Sequence, residues 1–135
     1  MPNTSTTTAY ALLVRPDGFF QVLDWPTDSA KTLETLRTAI ECNMVDVADI
    51  TADLSMWIDD EGMLTESPYQ NVPAFLLYAH YGAPRQAYFG NAVFTGGTDA
   101  NGDTLGLTED AVLGLLLNLL RLMHELPRIP AQRTK

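Results

Sequence analysis

The 135-residue chain predicts an α+β domain, with a mostly antiparallel sheet of about five strands packed on one side by two or three helices. Three observations lead there. The early runs YALLV and FFQVLD are strand-like and flank a Pro-Asp-Gly turn. Apolar residues at Leu33, Leu36 and Ile40 recur at helical spacing. A nearly all-apolar helix, AVLGLLLNLLRLMHEL, closes the ordered part of the chain.

Taken in order, residues 1–8 are Thr/Ser-rich and are expected to be disordered, with a single domain over 9–126 and a flexible basic tail over 127–135. Tyr10 to Val14 and Phe19 to Asp24 form a hairpin closed by Trp25-Pro26. Asp28 or Ser29 caps a helix whose buried stripe is Leu33, Leu36 and Ile40, and Asn43 stops it. Val45, Val47 and Ile50 suggest a strand with acids on its other face, and Leu54 to Ile58 suggests the next. Two prolines punctuate Ser67 to Pro73. Asn71 then caps a helix running to Gly82, with Pro73 in its first turn.

The stretch Phe89 to Leu107, FGNAVFTGGTDANGDTLGL, organises the rest. Ala87 to Thr95 reads as a strand in which Gly90 marks a bulge or close approach. Gly96-Gly97 ends it, and a loop with Asp99, Asn101 and Asp103 follows. Thr108 caps the last helix, with Glu109 and Asp110 in its positive first turn. Gly114, Asn118, Arg121 and Glu125 make one narrow polar stripe, so most of this helix must be covered. In a chain this short a second subunit is a natural cover. The residues expected in a homodimer are Leu113, Leu116, Leu117 and Leu120.

The charge is unevenly divided. Of the net −9, residues 1–110 carry 16 acids and 4 bases (−12), and residues 111–135 carry 1 acid and 4 bases (+3). Such a body repels phosphates, which argues against direct nucleic-acid binding. Asp46, Asp49, Asp53, Asp59, Asp60 and Glu61 are instead candidates for an acidic face that engages a basic protein. Cys42 is the only cysteine, the N-terminus has no signal-peptide pattern, and no apolar run spans a bilayer, so a cytoplasmic protein is expected.

Catalytic signatures are missing. Gly96-Gly97 lacks the lysine of a P-loop and the spacing of a dinucleotide fingerprint, and there is neither G-x-S-x-G nor H-E-x-x-H. The run Asp99-Ala100-Asn101-Gly102-Asp103 starts like a calcium loop. It then has Thr104 where glycine is needed and Asp110 in place of glutamate, so a plain turn explains it better. Asp59-Asp60-Glu61 reads as a solvated turn, His80 as a histidine at a helix C-terminus, and Cys42 as a small semi-buried residue with no Lys or His nearby to activate it. An acid pair of Asp59 with Asp99 or Asp103 would need the fold to join them. No catalytic residue, metal ligand or cofactor is assigned.

The combination LLVRPDG, VDVADI, I-D-D-E-G (Ile58 to Gly62), N-x-x-A (Asn71, Ala74) and FGNAVFTGGTDANGDT resembles an uncharacterised small domain family of bacteriophages, plasmids and actinobacteria. The resemblance covers roughly residues 10 to 107. It implies a compact α+β fold and supplies no catalytic residues. The function expected is a non-enzymatic acidic interaction protein, dimeric through its last helix. The alternative is a small-ligand or divalent-metal module centred on Gly96, Gly97, Asp99, Asn101 and Asp103, with the Asp59 to Glu61 turn nearby.

Overall fold

A computed structural model describes residues 9–62 and 69–125. The expected end segments, residues 1–8 and 127–135, and the first proline of the Ser67 to Pro73 stretch lie outside the described residues. The elements are β1 (Tyr10–Val14), β2 (Phe20–Asp24), a 3-10 turn (Ser29–Lys31), α1 (Thr32–Ile40), β3 (Val45–Thr51), β4 (Leu54–Asp59), α2 (Val72–Tyr81), β5 (Ala92–Thr95) and α3 (Glu109–His124). The five strands form one sheet in the order β2-β1-β5-β4-β3, and every neighbouring pair is antiparallel. Two sequential hairpins are thus joined by a late strand slotted between them. The fold is α+β.

The helices cover both faces of the sheet, not one. Leu12 and Val14 of β1 share a buried cluster with α2 and α3, and Ala11 and Leu13 share the other cluster with Trp25 and α1. β5 divides in the same way, with Ala92 and Phe94 on one side and Val93 on the other. The physical reason was present in β1 and β5 themselves. Each is an uninterrupted apolar run, and successive strand residues point to opposite faces, so both sides need cover.

Local chemistry explains where the elements stop. Asp28 accepts the Ala30 amide and so caps the 3-10 turn that leads into α1. The buried stripe of α1 is Leu36 and Ile40, whereas Leu33 is exposed. That helix ends at Ile40, before the expected Asn43, because Glu41 takes a left-handed conformation (φ 65°). β5 begins at Ala92, five residues later than the pattern predicts. Gly90, at φ 83°, turns the chain just before it, and upstream only Phe89 makes a bridge, to Gln70. A Cβ on Gly90 would meet nothing, so this glycine serves backbone conformation and not close approach.

Candidate functional site

The last helix follows the capping chemistry its sequence carries. Thr108 Oγ1 accepts the Ala111 amide at 3.1 Å, with Glu109 and Asp110 in the first turn. Val112, Leu115 and Leu119 are buried against the sheet, and Leu116, Leu122 and Met123 pack beside them. Asn118 turns sideways and donates its amide to the Tyr81 hydroxyl of α2. Part of the expected polar stripe therefore lies between helices.

What faces outward is apolar. Leu113, Leu117 and Leu120 are 54%, 59% and 53% exposed. With Asp110 before them and His124 after, they recur at spacings of 3, 4, 3 and 4, so these five residues share one stripe of the helix. Leu116, grouped with them by sequence, is half-buried in the domain's own core. On β2 the cross-strand partners of Leu12 and Val14 are Val22 and Phe20, which places both on the α3 side of the sheet, where they are exposed.

The acids do not share one face. β3 is an edge strand on which Asp46 opposes Ile58 and Asp49 opposes Ser55. Ile58 belongs to the α2/α3 side, while Asp49 and Asp59 lie towards α1 by the period-2 alternation. Asp53 sits in the turn after β3, and Asp59 to Glu61 follow at the far end of β4. The six form an acidic rim around one sheet edge. Several are engaged locally: Asp49 accepts the Ser55 hydroxyl, Asp46 the Val47 amide and Asp59 the Glu61 amide. Charges on an edge strand also block edge-to-edge pairing.

The glycine-rich loop is a self-contained turn. A Cβ on Gly97 would stand 2.0 Å from the Ala52 carbonyl oxygen, and one on Gly96 would stand 2.8 Å from that of Gly106. These glycines let backbones touch. Asp99 Oδ1 accepts the amides of Asn101 and Asp103, and Gly102 supplies the positive φ of 84° at the tip. Thr95 at the loop end of β5 pairs with Ser55, whereas Ala92 at the other end pairs with Ile58. The Asp59 to Glu61 turn and this loop are therefore at opposite ends of the sheet, roughly 13 Å apart along β4. Asp59 and the loop acids are not brought together. Among the described residues no group of three or more His, Cys, Asp or Glu could hold a metal ion.

The remaining candidates are quiet. Burial, and secondarily the Asp59 carboxylate, push the Cys42 thiol above its ordinary pKa, which disfavours the reactive thiolate. His80 is exposed and packs edge-on against Tyr81, with ring centroids 4.9 Å apart. No helix among the described residues is long and apolar enough to cross a membrane.

Residues 8–119 match the profile of a family described as a domain of unknown function, DUF3846. The chain belongs to that family. The match reaches past Leu107, where the motif resemblance stopped, and takes in most of α3, so the exposed leucines Leu113 and Leu117 lie inside the DUF3846 domain. No curated protein and no solved structure matches the chain.

Sequence reasoning missed one part of this DUF3846 domain. A cleft of about 540 Å³ opens where the turn after β1, the end of α1 and the start of β5 converge, with Arg15, Glu41 and Asn91 in its wall. These residues are 26 to 76 positions apart, and no local motif links them. Glu41, the one left-handed non-glycine among the described residues, is a clue that only the folded chain reveals.

Proposed function

We propose that this protein is a non-enzymatic interaction module that pairs with a second copy of itself through the outer face of α3. The observation that carries this reading is the exposed row Leu113, Leu117 and Leu120, set in an Asp110-to-His124 stripe at coiled-coil spacing. Charge favours a second copy in antiparallel orientation. The stripe begins with Asp110, beside Glu109, and ends with His124, near Arg121 in the basic last turn of the helix. With Leu117 at a two-fold axis, Asp110 of each copy meets His124 of the other, and Leu113 meets Leu120 and Arg121. A parallel pair would set like charges together. Exposed Phe20 and Val22 extend the apolar area on the same side.

Covering six half-exposed leucines contributes roughly 6 kcal/mol, much of which offsets lost translational and rotational freedom. A micromolar or weaker dimer is the expectation. The acidic rim of Asp46, Asp49, Asp53, Asp59, Asp60 and Glu61 then serves as the contact for a basic protein. That part of the reading rests on the −12 carried by residues 1–110. A phage, plasmid or actinobacterial setting belongs to it as well and rests on the motif resemblance. The loop Gly96 to Asp103 carries no second reading, because Asp99 is engaged by its own turn.

The test is light scattering coupled to size exclusion on wild type and Leu117→Glu. Leu117 is the right position because its side chain is outside the core, whereas a charge at Leu116 would also disturb folding. A wild-type dimer that becomes a folded monomer in the variant supports the reading. A wild-type monomer at hundreds of micromolar overturns it.

A further inference from the structure

We propose that the cleft between the β1–β2 turn and the end of α1 binds a small zwitterion, a molecule with a carboxylate and an ammonium group close together, of which free α-amino acids are the simplest. Its volume of about 540 Å³ is in the range of small-molecule sites.

The case starts from Arg15. Its Nε is buried without a hydrogen-bond partner among the described residues, and its guanidinium lies 4.7 Å from the centroid of the Phe19 ring. The stacking fixes the plane of the guanidinium, and because Nε is enclosed it is the terminal nitrogens of Arg15, in the wall of the cleft, that would meet an incoming carboxylate.

The rest of the wall decides the ligand's charge. Asp17 and Glu41 line the same cleft. A simple anion would meet two carboxylates, and a simple cation would meet Arg15. A zwitterion satisfies both signs. Asp17 Oδ1 accepts the Phe19 amide within its own exposed turn and Glu41 Oε2 accepts the Asn91 side chain, so each keeps an oxygen for an ammonium group, and Glu41 is the one steadied by a side chain of the cleft wall itself. Asn91 Nδ2 is 3.3 Å from Glu41 Oε2 and orients that carboxylate from within the same wall. Glu41 also holds φ at 65°, where glycine is the usual residue after a helix, so its side chain is retained at a backbone cost. The Tyr69 ring, 70% exposed at the rim, offers a surface for the ligand's side chain.

The experiment is isothermal titration calorimetry of the full chain against each of the common free amino acids at millimolar concentration, with acetate and methylammonium as single-charge controls. The expected result is saturable binding of at least one amino acid, none of either control, and at least a tenfold loss in both Arg15→Gln and Glu41→Gly. Glu41→Gly should also raise the melting temperature, because it relieves the left-handed residue, so its loss of binding cannot be ascribed to unfolding. Absence of binding by every amino acid overturns the proposal. So does binding that survives Glu41→Gly, or acetate binding as tightly as the amino acid. Dimerisation through α3 would be untouched by any of these results.

Discussion

Asn71 Nδ2 lies 2.9 Å from the carbonyl oxygen of Val14, the last residue of β1 and 57 positions away in sequence. The same amide nitrogen donates to the Gly90 carbonyl at 2.8 Å, and Oδ1 accepts the Ala74 amide as the N-cap of α2. One fully buried side chain thus ties a helix start, a strand end and the turn before β5. It also accounts for the N-x-x-A motif, since Ala74 is fully buried where the capped turn meets the core.

Asn71→Ala is expected to lose about 3 kcal/mol of stability, roughly 1 from the cap and the rest from two carbonyls left without their donor. Urea denaturation measures this. A loss below about 1 kcal/mol would mean that water replaces the amide without cost.

Two glycine substitutions should move in opposite directions. Gly97→Ala drives a methyl group into the Ala52 carbonyl and should destabilise by several kcal/mol, since backbone must shift on both sides. Gly114→Ala lies inside α3 with nothing within 4 Å of the added methyl, and should stabilise by up to about 1 kcal/mol. Thermal unfolding of the pair separates the two; equal effects would contradict the loop packing.

On α3, neighbouring leucines should behave differently. Leu119, 1% exposed, should not tolerate glutamate, and Leu119→Glu is expected to unfold the domain. Leu117→Glu should leave the circular dichroism unchanged and alter only association. A folded Leu119→Glu variant would show that the helix face is assigned wrongly.

Alkaline titration should single out Tyr88. Burial raises its pKa, with the adjacent Tyr78 ring, stacked at 5.7 Å, as the next cause. Its folded pKa is above the unfolded one, so its contribution is fully present below the ordinary tyrosine value of about 10 and is lost as pH rises through the folded value. Stability should therefore fall above pH ~10, and Tyr88→Phe should flatten that fall. Absorbance at the tyrosinate band, followed with pH in wild type and variant, gives the assignment. Cys42, raised for the same first reason, should alkylate more slowly than a free thiol at pH ~8.

Much of the fold was legible because its signals are local. The bounds of β1, the Asn71 and Thr108 caps, the Gly82 stop and the Asp99 turn each depend on residues within a few positions of one another. The amphipathic period likewise placed Leu36 and Ile40 inside. Leu33 follows the same period and is nonetheless exposed, because which turns of a helix find a packing partner is not written in the helix.

The candidate site was less legible. Sequence named the four leucines of α3, but only packing separates Leu116, turned to the core, from Leu113, Leu117 and Leu120 on the outside. It named the acids as one face, and strand alternation distributed them around an edge. It paired the Asp59 turn with the glycine loop, and the antiparallel register of β4 on β5 sent them to opposite ends.

By itself the sequence determined the charge division, the element types and the turn chemistry, all of which act over short range or sum over the whole chain. Tertiary structure alone decided the strand order, which face each helix covers, and the meeting of Arg15, Glu41 and Asn91 in one cleft. Those depend on contacts between residues distant in the chain. Their energy comes from burying a shared surface, and no single segment carries that quantity.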